Sequence, residues 1–143
     1  MNETVDEVLL AEIVQIILRD LPETQVVYLY GSYARGEQRP DSDMDLAVLL
    51  PHETAKRIGS LAMSETHNAI SNIARCDVDL INLRQVSTVF QNQIISMATL
   101  IQSINEQIRL KFEMEVLSSY MKLNEERSEI LRSFRETKHA YLV

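Results

Sequence analysis

The sequence predicts an α/β fold in which a small mixed sheet of about three strands packs with helices. Two apolar runs, residues 26–30 and 46–50, flank a polar turn and are typical of buried strands. A third run, residues 76–83, alternates polar and apolar residues, as a half-buried strand does. Apolar residues elsewhere recur mostly at helical spacing, which predicts helices before, between and after these strands.

Three helical segments follow from spacing and from glycine and proline. A first helix is predicted from about Glu3 to Arg19, where a Leu-Pro pair ends the apolar pattern. A second helical stretch runs from about Glu53 to Ala74, and Gly59 predicts a break within it. From Val86 to about Arg135 the chain has neither glycine nor proline, which predicts long helix in two pieces.

The domain organisation is expected to be simple. The 143 residues suit one domain with a core of its own, and no repeat or low-complexity linker divides them. We predict one domain over residues 1–143, with a catalytic core at about 1–84 and a C-terminal helical region at about 85–143.

A glycine and two aspartates between the first two strands carry the chemical signal. Gly31 and Ser32 are followed, after ten residues, by Asp43 and Asp45. Strand side chains alternate, so both aspartates project to one face. Two neighbouring carboxylates repel each other unless a cation lies between them, and hard oxygen ligands suit Mg²⁺. The pattern predicts a metal and nucleotide site.

The predicted phosphate-binding residues are Gly31, Ser32 and Arg35. Without a Cβ, Gly31 lets the backbone turn off the strand and approach a phosphate. Ser32 offers a backbone N–H and a hydroxyl, and a helix starting there would direct its positive end at the anion. For Arg35 two interpretations stay open, a phosphate contact and a surface ion pair.

These residues resemble a known family. The stretch from Gly31 to Gly36, followed by Ser42 through Val48, resembles the signature of the polymerase-β-like nucleotidyltransferase superfamily. It is most similar to the minimal nucleotidyltransferases (MNT) that act as antitoxins beside HEPN-domain ribonuclease toxins. The resemblance implies a transferase using ATP and Mg²⁺, with two metal ions held by Asp43, Asp45 and a third carboxylate.

Two residues compete to be that third carboxylate. Asp77 and Asp79 lie on the polar side of the 76–83 strand. Asp79 is deeper in the strand, where the resembling family places its third acid, and it is preferred over Asp77. The implied roles are metal binding and catalysis for Asp43, Asp45 and Asp79, with Asp79 accepting the proton of the attacking hydroxyl.

Charge and composition restrict the partners. A net charge of −7 disfavours direct binding to nucleic acid, which needs a cationic surface. The single cysteine, Cys76, permits no intramolecular disulfide, and three scattered histidines do not indicate zinc. No run is long enough to span a bilayer, so we expect a cytoplasmic protein without membrane contact.

The last third predicts a partner surface. Apolar residues at steps of three and four are expected to pack on the protein's own sheet; they are Leu110, Met114, Leu117 and Met121. A second apolar edge, from Tyr120 to Phe134, adds more apolar surface than a small sheet can cover. It is predicted to dock a partner protein.

The combined prediction is an antitoxin that transfers AMP from ATP to a hydroxyl, by the resemblance a tyrosine, of a cognate HEPN toxin. A hetero-oligomer formed through the C-terminal helices is expected. Two alternatives stay open: transfer to a small molecule such as an aminoglycoside, and neutralisation of the toxin by binding alone.

Overall fold

The computed structural model describes residues 7–31 and 43–141, the last four by their backbone alone. In chain order the elements are α1 (Glu7–Asp20), β1 (Val26–Tyr30), β2 (Met44–Leu49), α2 (His52–Ile58), α3 (Glu65–Ala74), β3 (Val78–Asn82), a 3₁₀ turn (Leu83–Gln85), α4 (Thr88–Met97), β4 (Thr99–Ser103) and α5 (Glu106–Tyr141). The predicted start of the first helix at Glu3 lies outside the described residues.

The strands form a mixed sheet in the order β3-β2-β1-β4. β1 pairs antiparallel with β2 and with β4, while β2 pairs parallel with β3. The predicted α/β class and mixed sheet are confirmed. In the described residues the sheet has four strands, whereas about three were predicted.

The additional strand is β4, in a segment predicted to be helical. Thr99–Ser103 lies between α4 and α5 and pairs with β1, with an irregular register between Val27 and Tyr28. The absence of glycine and proline was consistent with helix, but β1 offers an unpaired edge whose hydrogen bonds outweigh that weak local preference. The expected helix over 86–135 is therefore two helices separated by a strand.

The helical stretch before β3 is interrupted as predicted. α2 ends at Ile58, and the φ of +67° at the following Gly59 is one that glycine adopts without strain. α3 begins after Ser64, whose side chain accepts a hydrogen bond from the His67 backbone N–H. It ends at Ala74, and the following Arg75 has the left-handed conformation.

The sheet is covered by helices on both faces. One face packs mainly against α1 and α3, and its strand residues are Val27, Leu29, Met44, Leu46, Val48, Val78 and Leu80. The other packs against α4 and α5, and its strand residues are Val26, Tyr28, Tyr30, Ala47, Leu49 and Ile81. By strand alternation Asp45 and Asp79 lie on this second face.

Helix α5 contacts the sheet near its start. Phe112 and Val116 are buried on the second face. The Tyr28 hydroxyl donates to Glu113 Oε2 at 2.7 Å, and the Arg84 guanidinium lies 5.2 Å from the centre of the Phe112 ring. These contacts fix the helix to β1 and to the turn after β3.

The prediction that the first apolar stripe of α5 packs on the sheet is wrong. Each residue predicted to pack on the sheet is at least half exposed; they are Leu110, Met114, Leu117 and Met121. The helix turns the Phe112 and Val116 edge inward instead, and both side chains are buried in the core of the second face. Beyond Val116 the described residues are mostly exposed, including Ile130 and Phe134.

In the described residues no helix is both long enough and apolar enough to cross a bilayer.

Candidate active site

Two acidic side chains meet on neighbouring parallel strands. Asp45 of β2 is in register with Asp79 of β3. Paired strands lie about 4.8 Å apart, and residues in register project to the same face, so the two carboxylates are neighbours. Asp45 is half-buried and Asp79 is exposed. This end of the sheet thus presents a solvent-accessible carboxylate pair.

Asp43 precedes β2 at the same end of the sheet. It is exposed, and the Met44 backbone N–H donates to the Asp77 carbonyl at 2.9 Å, which anchors the start of β2 beside the chain that enters β3. Among the described residues no group of three or more His, Cys, Asp or Glu is arranged as a metal site. The structure brings Asp45 and Asp79 together; a three-carboxylate cluster including Asp43 stays a prediction.

The register distinguishes the two candidates for the third carboxylate. Asp79 lies within β3 opposite Asp45, whereas Asp77 is exposed and precedes the strand. The arrangement therefore favours Asp79, as the sequence did.

Gly31 ends β1 directly against the acidic pair. Its φ is +75°, and a Cβ built on it would overlap Asp45 Oδ2 and lie 3.1 Å from Asp45 Cγ. A glycine is therefore needed both for the backbone conformation and for the close approach of the carboxylate. The other two predicted phosphate-binding residues, Ser32 and Arg35, lie outside the described residues.

Tyr30 is a site residue that sequence reasoning missed. It pairs with Asp45 across the β1–β2 ladder, and its ring meets Phe90 of α4 edge to face at 6.1 Å. Its hydroxyl is buried and has no hydrogen-bond partner among the described residues. Burial, and then the charges of Asp79 and Asp45, raise the pKa of this phenol well above its usual range. Tyr30 therefore remains a neutral donor beside the acids at physiological pH.

The donor set fits the metal that the sequence predicted. Carboxylate oxygens are ligands that Mg²⁺ prefers, and the missing side chain at Gly31 lets the Asp45 carboxylate lie against the backbone at the end of β1. The strand register brings Asp45, Asp79 and Tyr30 to one edge of the sheet. Placing Tyr30 beside Asp45 requires the antiparallel register of the hairpin. That register depends on the conformation of the connecting turn.

Comparisons with known proteins show the family of the chain. Residues 12–107 match the family model described as polymerase beta, nucleotidyltransferase. The chain is 31% identical over 120 residues to the protein adenylyltransferase MntA of Shewanella oneidensis, covering 84% of this chain and 83% of that protein. The resemblance predicted from the sequence is confirmed.

Solved structures share the fold. A crystal structure of a toxin-antitoxin with AMP-PNP has a TM-score of 0.71 and 28% identity, over 90% of this chain and 98% of the other. A tri-AMPylated Shewanella oneidensis HEPN toxin in complex with MNT antitoxin has a matching chain with a TM-score of 0.66 and 24% identity, over 89% and 96%. This second likeness supports the fold alone. From its family match and its homology to MntA, the chain belongs to the polymerase beta nucleotidyltransferase family.

Proposed function

We propose that this protein is an antitoxin that transfers AMP from ATP to a tyrosine hydroxyl of a cognate HEPN ribonuclease toxin and so neutralises it. The observation that carries the proposal is the in-register Asp45–Asp79 pair with Gly31 against it. The relative named protein adenylyltransferase and the similar toxin-antitoxin with AMP-PNP support the same substrate and reaction.

The metal-binding role is assigned to three carboxylates. Asp43, Asp45 and Asp79 would hold Mg²⁺, two ions by the family resemblance, and bound Mg²⁺ would neutralise phosphate charge at the reacting centre. Tyr30 is half-buried beside this group, and its ring against Phe90 of α4 is proposed to limit the access of water from that side. Gly31, Ser32 and Arg35 are proposed to hold the triphosphate.

The transfer is a substitution at the α-phosphorus of ATP. The acceptor oxygen forms a bond to this phosphorus, the bond from the phosphorus to the oxygen bridging to the β-phosphate breaks, and pyrophosphate leaves with that electron pair. The hydroxyl proton passes to the Asp79 carboxylate. The product is a phosphodiester that joins AMP to the acceptor side chain.

Helix α5 is the proposed surface for the toxin. Its far half extends beyond the contacts with the sheet and exposes Ile130, Leu131 and Phe134, each by more than half. Apolar side chains at this spacing form one stripe of a helix and suit a partner helix. A hetero-oligomer assembled in this way would bring the acceptor hydroxyl to the enzyme.

Labelled ATP tests the proposal. The purified protein is incubated with Mg²⁺, with ATP carrying the label on its α-phosphate, and with the HEPN product of the neighbouring gene. We expect label on the HEPN protein and loss of its ribonuclease activity. Loss of ribonuclease activity without label would support neutralisation by binding alone, and label on an aminoglycoside in place of the protein would support the small-molecule alternative.

A further inference from the structure

A groove with a volume of about 340 Å³ lies along the outer edge of β3. Within the described part of the chain, this strand is at the edge of the sheet and pairs with β2 alone. Ser60, Leu61 and Ala62 of the α2–α3 loop line one part of the groove, and Ile81 and Val86 line another. Asp79 is also in the lining, so the groove reaches one carboxylate of the acidic pair.

The groove is held open by hydrogen bonds from β3. The Asn82 side-chain nitrogen donates to the Ala55 carbonyl at 2.9 Å and to the Gly59 carbonyl at 2.7 Å. Asn82 is buried, so these bonds are shielded from water. They tie the end of α2 and the loop after it to the strand. A ligand entering the groove therefore meets a preformed site.

The strand order places this groove on the opposite side of the acidic pair from Gly31. Strand order places Gly31 after β1, Asp45 on β2 and Asp79 on β3, with the groove outside β3. An in-line substitution needs the entering and leaving groups on opposite sides of the phosphorus. If pyrophosphate leaves on the Gly31 side, the acceptor enters from the side of β3.

We propose that this groove receives the aromatic side chain of the acceptor residue, with the phenol ring against Ile81 and Val86 and the hydroxyl beside Asp79. The inference rests on the proposed function and adds the subsite that selects tyrosine. A volume near 340 Å³ is at the small end of ligand pockets, which suits one side chain better than a second nucleotide. The apolar lining favours a phenol over the small aliphatic hydroxyl of serine.

Filling the groove tests the subsite. Ala62 is exposed at its rim, so Ala62→Trp adds bulk there without changing the core. We expect AMP transfer to the HEPN protein to fall by about a hundredfold, as for other misplaced substrates, while Mg-ATP affinity and capture of the HEPN protein stay unchanged. The matched control is Met63→Trp, one residue further along and 79% exposed. It should transfer AMP like the wild type.

Binding of a small phenol provides a readout that does not depend on transfer. N-acetyl-tyrosinamide should shift the methyl NMR signals of Ile81 and Val86 in the wild type and in Met63→Trp, but not in Ala62→Trp, and N-acetyl-serinamide should shift neither. If millimolar N-acetyl-tyrosinamide leaves the methyl signals of Ile81 and Val86 unshifted in the wild type, the proposed subsite is wrong. Loss of Mg-ATP binding in Ala62→Trp would also overturn it, by assigning the groove to the nucleotide. Shifts without any AMP transfer by the wild type would support the phenol site and contradict the proposed function instead.

Discussion

The missing side chain at Gly31 lets the Asp45 carboxylate lie against the backbone at the end of β1. A glycine at this position meets two requirements, a φ of +75° and space for the carboxylate. Gly59 meets only the first, because its φ is +67° and a Cβ there would have no atom within 4 Å. Substitutions at the two glycines therefore distinguish the effect of backbone strain from the effect of displacing Asp45.

Gly31→Ala should abolish detectable Mg-ATP binding and lower the free energy of unfolding by about 1–3 kcal/mol, because alanine is strained at positive φ. Gly59→Ala adds backbone strain alone, so it should also lose stability but should keep its affinity for Mg-ATP. Urea unfolding and calorimetric titration with Mg-ATP measure the two quantities. Unchanged nucleotide affinity in Gly31→Ala would show that the position of the Asp45 carboxylate does not matter for binding.

The two acids near the start of β3 should behave differently. Asp79→Asn is expected to reduce the rate of AMP transfer by about 10²–10⁴-fold, the usual contribution of a proton acceptor. Asp77→Asn should change it little, because Asp77 precedes the strand. Both residues are exposed, so both variants should fold. Single-turnover rates at saturating ATP provide the measurement, and equal, mild losses would exclude both residues from catalysis.

The sequence predicts those residues of the candidate site whose position follows from their spacing along a strand. Gly31, Asp43, Asp45 and Asp79 could be selected because strand alternation and the motif fix their faces. Tyr30 could not, because its neighbours depend on the register of β1 against β2. The groove beside β3 depends on how the α2–α3 loop returns to Asn82, which no local pattern encodes.

At the scale of the elements, α5 buries Phe112 and Val116 near its start and is mostly exposed beyond them. The sequence contains apolar residues on more than one edge of this helix, so periodicity alone could not show which edge faces the sheet. The Tyr28–Glu113 hydrogen bond and the Arg84–Phe112 contact accompany the burial of the Phe112 and Val116 edge. Strand β4 was missed for a related reason, since its strand conformation depends on pairing with β1.

Charges placed on the exposed apolar stripe of α5 should weaken binding of the partner without unfolding the protein. Ile130→Asp combined with Phe134→Asp is expected to weaken capture of the HEPN protein by at least about tenfold, or 1.4 kcal/mol, because a charge would enter an apolar contact. Thermal unfolding and Mg-ATP affinity should not change, since both residues are exposed.

The matched control adds the same two charges at polar positions of the same helix, Ser128→Asp with Ser133→Asp, and should keep full capture. If the Ile130 and Phe134 variant captures the partner as tightly as this control does, the toxin docks on another surface. Val116→Asp, at a buried position, should instead unfold the protein.

At the scale of the whole molecule, the contact between sheet and α5 should weaken in alkali. Burial, and then Glu113, raise the pKa of Tyr28 above its usual value. The folded state thus favours the neutral phenol, and its contribution to stability is complete below about pH 10 and is lost as the pH rises above that value.

We therefore expect the unfolding free energy of the wild type to fall more steeply above pH 10 than that of Tyr28→Phe, by up to about 1.4 kcal/mol per pH unit. At neutral pH the variant should be less stable by about 1 kcal/mol, since it lacks the hydrogen bond to Glu113. Urea unfolding followed by circular dichroism at several pH values measures both effects. Parallel pH profiles would mean that Tyr28 ionises equally in the folded and unfolded states.

The mass of the intact HEPN partner tests the central claim most directly. After incubation with ATP, Mg²⁺ and the wild-type protein, the partner should gain the mass of one or more AMP groups, and after incubation with Asp45→Asn it should gain none. Capture of the partner by Asp45→Asn serves as the control for folding and docking. An unmodified partner in a wild-type complex that has formed, or an equal mass gain with Asp45→Asn, would contradict the account.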